Sequence, residues 1–126
     1  MLIEVSPGEV VDRLTILEIR LERVADPEKR HNVQSEYEAV MRAFAAAIPQ
    51  SDRLVAMRTG LKEVNATLWE IEDDIRDHER RQDFGPAFVE LARSVYRNND
   101  RRSALKRQIN EFLGSAWTEE KSYIPY

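Results

Sequence analysis

Apolar residues recur along this chain at steps of three and four, and the steps sort it into helices. Val10, Leu14, Leu17, Leu21 and Val24 form one stripe, the spacing of a helix with a single buried face. Ser6-Pro7-Gly8-Glu9 stands before it with the marks of a helix start: a capping hydroxyl, proline at the first helical position and a glutamate placed to close a capping box. These signals predict a first helix over about residues 7–25. A second, about 27–48, opens at Asp26-Pro27, presents Val33, Tyr37, Val40 and Phe44, and stops at Pro49.

A longer stripe follows, through Leu54, Met57, Leu61, Val64, Leu68, Ile71, Ile75 and His78, predicting a third helix over about 52–82. Asp83-Phe84-Gly85-Pro86 breaks it. The fourth helix, about 86–113, carries Phe88, Leu91, Val95, Asn98, Arg102, Leu105, Ile109 and Phe112 on its stripe and ends at Gly114.

Folding back at each break aligns these stripes head to foot. The first turn sets Leu21 against Val33 and Val10 against Phe44; the second sets Met57 against Phe112, Val64 against Leu105, Leu68 against Arg102 and His78 against Leu91. The expected fold is all-α: two antiparallel helical hairpins in one four-helix, bundle-like domain over residues 1–126, with an aromatic C-terminal tail at 115–126. At ~1.5 Å rise per residue the second hairpin is about 45 Å long and the first about 30 Å, so part of the longer stripe overhangs. A second copy of the chain is the simplest cover, and a dimer is expected.

Composition narrows the classes. The chain has 126 residues, 42% of them hydrophobic and none of them cysteine, which suits one domain with a shared core and excludes disulfides and thiolate metal sites. With no signal segment and no apolar run near the ~20 residues of a membrane span, a cytoplasmic protein without membrane insertion is expected. A formal net charge of -4 disfavours nucleic acid as a partner, because that binding draws on Lys and Arg neutralising phosphates.

Charge is divided between the long helices, with Glu63, Glu70, Glu72, Asp73, Asp74, Asp77 and Glu79 on the third and Arg93, Arg97, Arg101, Arg102, Lys106 and Arg107 on the fourth. Flanking salt bridges, Glu63 with Lys106, Glu72 with Arg97 and Asp77 with Arg93, are expected to choose the pairing. Asn98 and Arg102 fall on the apolar stripe itself. Such residues either reject slipped registers or, with Asn99, Glu70 and Asp73, line a ligand pocket.

Glu18 with Glu22, and Glu70 with Asp73, each project from one helical face and form the candidate metal set. Two such pairs on facing helices suit Mg²⁺ and, through it, a phosphate. This arrangement resembles the all-helical nucleotide pyrophosphohydrolases and gives the alternative reading, an enzyme of Mg²⁺-dependent phosphate chemistry; no cofactor is expected otherwise. His31 and His78 are too isolated for a zinc site or a triad, and no phosphate-binding glycine loop is present. The tail concentrates Trp117, Tyr123 and Tyr126, a candidate docking segment for this chain or a partner protein.

The stretches EVSPGEVVDRLTILEIRLERV, LWEIEDDIRDHE, ARSVYRNNDRRSALKRQIN and EEKSY are similar to a family of small bacterial helical proteins of unassigned function. The resemblance implies bacterial origin, a helical fold and a setting near surface-polysaccharide and glycosyltransferase genes. It transfers no catalytic residue. The leading expectation is a self-associating helical interaction or accessory protein.

Overall fold

In a computed structural model, which describes residues 1–114, the chain folds into four helices: α1 (Pro7–Arg23), α2 (Pro27–Ala47), α3 (Asp52–Arg81) and α4 (Pro86–Phe112). Each begins and ends within two residues of the stripe that predicts it. The tail, with Trp117, Tyr123 and Tyr126, lies outside the described residues.

The caps form as the sequence dictates. Ser6 Oγ accepts from Glu9 N–H at 3.3 Å, Ser51 Oγ from Leu54 N–H at 3.1 Å and Asp26 Oδ1 from Glu28 N–H at 3.2 Å, satisfying donors that a helix leaves open at its first turn. Only half of the expected box at Ser6 is used for capping, because the Glu9 carboxylate reaches Lys106 instead, at 2.8 Å. α3 ends at Gln82, whose φ of 55° is left-handed.

Both hairpins are antiparallel. Arg13 pairs with Glu36 across the first, and Arg30 at the start of α2 donates to the Leu21 carbonyl near the end of α1. The second hairpin is displaced by about one turn from the predicted alignment. The Arg53 guanidinium lies over the Phe112 ring at 5.1 Å, a Cβ on Gly60 would meet Leu105 at 3.9 Å, and His78 meets Phe88 with ring centroids 6.1 Å apart. In each pair one residue lies three or four positions from its predicted place, because a helix repeats the same face every turn and stripe spacing alone cannot choose between neighbouring turns.

The predicted salt bridges between α3 and α4 are replaced by pairs within each helix. Glu72 holds Arg76, Asp77 holds Arg80 and Arg81, and Glu90 holds both Arg93 and Arg97. Lys106 turns to Glu9.

α1 is the central element. It packs on α2, α3 and α4, whereas the backbone of α2 approaches α1 alone. Phe44 and Ile48 at the end of α2 reach into a core with Val11, Leu14, Leu54, Leu61 and Ile109. All the buried apolar side chains come from residues 11–19, 44–48, 54–71 and 109. Beyond Ile71 the α3–α4 hairpin continues as a two-helix arm in which Ile75, Phe88, Leu91 and Val95 are only half-buried.

Candidate functional site

Because α1 has neighbours on three sides, it buries a face too wide for one apolar stripe: Val11, Asp12, Leu14 and Thr15 are all inside. The Asp12 side chain is 2% exposed and meets Arg102 of α4 in a side-on pair, accepting from Nε on Oδ1 at 2.9 Å and from an Nη on Oδ2 at 2.5 Å. Asn65 of α3 donates through Nδ2 to Asp12 Oδ1 and to Thr15 Oγ, both at 2.9 Å, and the Thr15 hydroxyl donates to the Asp12 carbonyl at 2.8 Å. Three helices are thereby tied at one point. An unpaired carboxylate there would cost several kcal/mol, so each partner is required by the others.

A second tie lies nearer the chain ends, one turn along α1 and two along α4. Asn110 Oδ1 accepts from Gly8 N–H at 2.7 Å, while its own Nδ2 is buried with no hydrogen-bond partner. Glycine is required at position 8 because a Cβ would stand 2.5 Å from the Lys106 carbonyl oxygen.

Beside the Asp12 cluster a half-open cleft of about 200 Å³ is lined by Ile16 and Ile19 of α1, Asn65, Leu68 and Trp69 of α3, and Arg102. It opens where α1 parts from α4. The α1 side chains that bond α4 lie at Glu9 and Asp12, whereas Glu18, Glu22 and Arg23 bond α3 alone.

The sequence-predicted site residues do not converge there, apart from Arg102. Glu18 binds Arg58 and Lys62, Glu22 binds Lys62 at 2.6 Å, and Glu70 binds Arg23. Lys62, between two carboxylates, has its pKa raised, first by the hydrogen bond to Glu22 and then by that to Glu18, against the opposing effect of burial. Asp73 is exposed, and Asn99 is half-buried outside the cleft lining. Asn98 does not pair across the seam: its Nδ2 donates to the Ser94 carbonyl at 2.9 Å and its Oδ1 accepts from Arg101 at 3.1 Å. Among the described residues no group of three or more His, Asp or Glu is placed to hold a metal ion.

Asp12, Thr15 and Asn65 escaped the sequence reading because they sit beside the stripe rather than on it. The available signal was Arg102 itself, a cation on an apolar face that needs a buried anion. Both Asp12 oxygens are engaged by donors, so the cluster acts as a joint between helices, and the open feature beside it is the cleft.

A family of unknown function, DUF6165, matches residues 1–125. The chain belongs to it. No curated protein and no solved structure matches the chain. DUF6165 brings no residue roles, so function must be argued from the arm and the cleft. No helix among the described residues is long and apolar enough to cross a membrane.

Proposed function

We propose that this chain is a helical interaction protein that associates with a second copy of itself through the distal α3–α4 arm. The observation that carries this reading is the break in burial at Ile71: below it the hairpin is covered by α1, and above it no apolar side chain of the arm is fully enclosed. Phe84 is 47% exposed and Val89 52%, beside the half-buried Phe88, Leu91 and Val95. An apolar seam continued past its cover marks an interaction surface.

Charge favours a copy of the same chain as the occupant. On α3 the foot of the arm is acidic, with Glu70, Glu72, Asp73 and Asp74, while toward the tip Arg76, Arg80 and Arg81 offset Asp77, Glu79 and Asp83. On α4 Glu90 and Arg93 balance near the tip, and Arg97 and Arg101 outweigh Asp100 near the foot. Two arms laid antiparallel therefore set each acidic α3 foot beside a balanced tip rather than against the partner's acidic foot. The alternative reading, Mg²⁺-dependent phosphate chemistry, finds less support, since Glu18, Glu22 and Glu70 bond Arg58, Lys62 and Arg23.

Sedimentation equilibrium tests the proposal. The expected mass is twice 14.7 kDa, with a dissociation constant on the order of micromolar, as suits an interface of modest area. Val89→Glu, on an exposed position, should return a folded monomer. A wild-type chain that stays monomeric at millimolar concentration sinks the reading.

A further inference from the structure

We infer that the tip of the arm is a knob and the cleft its socket: Phe84 of a second copy seats between Ile16, Ile19, Leu68 and Trp69. The inference rests on the self-association reading above and adds the way the two copies fit.

Three observations lead to it. First, α1 fills the groove between α3 and α4 at the foot of the arm, tied to both by Asp12. A partner carrying its own α1 cannot place its foot in that occupied layer, but its bare tip can enter where α1 leaves off. Second, the cleft opens at that point, with apolar walls and the aliphatic and guanidinium surface of Arg102, whose side chain is 31% exposed. Third, the tip offers a matching group. Phe84 precedes Gly85-Pro86, is 47% exposed, and is held edge-on against Phe88 with centroids 5.2 Å apart. An aromatic ring on a short, braced turn is well suited to be an interface anchor, because little rotamer freedom is lost on docking.

The geometry closes on itself. Along the arm, Trp69 and Phe84 are about 20 Å apart. In a two-fold pair with antiparallel arms, one overlap of that length puts each tip at the other's cleft, so both sockets fill together and no further copy can add. The seams of the two arms cover each other in between.

Single cysteines in this cysteine-free chain provide the test. Mixing Phe84→Cys chains with Ile16→Cys chains and oxidising mildly should give a mixed disulfide of the two, seen by mass spectrometry, while neither variant alone links to itself. Phe84→Ala should fold as the parent does by circular dichroism and weaken the dimer roughly 10- to 100-fold, the range for an anchor residue. Two results would overturn the socket while leaving self-association intact: Phe84→Cys linking to itself without the mixed product, which places the tips together, or a dimer indifferent to Phe84→Ala. A chain that never dimerises removes the inference and the reading beneath it.

Discussion

Gly8 shows how a single hydrogen atom sets a helix–helix distance. Its Cα side faces the Lys106 carbonyl and Asn110 Oδ1, where a methyl would stand at 2.5 and 2.8 Å, so Gly8→Ala must push α1 from α4. A loss of about 1–3 kcal/mol is expected, the range for overpacking, read from the urea midpoint. Asp12 and Arg102 behave as one unit. Asp12→Ala removes the buried carboxylate that joins Arg102 to Asn65 and should cost about 3–5 kcal/mol, whereas Asp12→Leu with Arg102→Met should cost clearly less than the two single changes added. Additive losses would show that the pair does not act together. At this scale the sequence was half legible. Arg102 stood out as a cation among apolar neighbours, but Asp12 read as an ordinary charge between Val11 and Arg13, since a stripe cannot reveal that its helix will be enclosed on three sides.

Between elements, α1 is fastened to α3 by a ladder in which Glu18 and Glu22 receive Arg58 and Lys62. Lys62 titrates above the ordinary lysine value of 10.5. A cation whose pKa rises on folding stabilises in full below its unfolded value and loses that contribution as pH climbs through the folded one. The urea midpoint should therefore fall more steeply above pH 10.5 in the parent than in Lys62→Met, with the two curves running in parallel at neutral pH; equal slopes above pH 10.5 would count against the ladder. Asp77 works in the opposite sense. Arg80, then Arg81, hold its pKa below the ordinary value, so what it contributes near the tip is present above that value and fades as acid passes the lowered one. Helix boundaries were the most legible feature of all, because Ser6-Pro7, Asp26-Pro27, Ser51-Asp52 and Gly85-Pro86 are local signals. The pairing of α3 with α4 was legible only to within a turn, since neighbouring turns of a helix offer nearly the same face.

For the whole molecule, burial divides the chain into an anchored base and a projecting arm. Amide exchange should follow that division, with slow protons around Leu14, Leu61 and Ile109 and faster ones from Glu72 to Arg97. Raising the protein concentration should slow the arm selectively, because a second copy covers it; an arm whose exchange ignores concentration would argue against the dimer. The overhang itself was predictable by comparing helix lengths. The cleft was not, since its walls come from three helices, Ile16 and Ile19 on α1, Leu68 and Trp69 on α3 and Arg102 on α4, and no single stripe encodes their meeting.

The ties from Asp12 to Arg102 and from Gly8 to Asn110 join positions 90 and 102 residues apart. On a ribosome adding roughly 5–20 residues each second, α1 waits about 5–18 s for the segment that receives it. During that interval α2 and then α3 cover α1 in turn, Asn65 reaching Asp12 from 53 residues on, while the side of the carboxylate that takes Arg102 waits for α4. The order of synthesis thus makes α2 the first escort of α1, in place before the core that Phe44 and Ile48 come to share with α3 and α4.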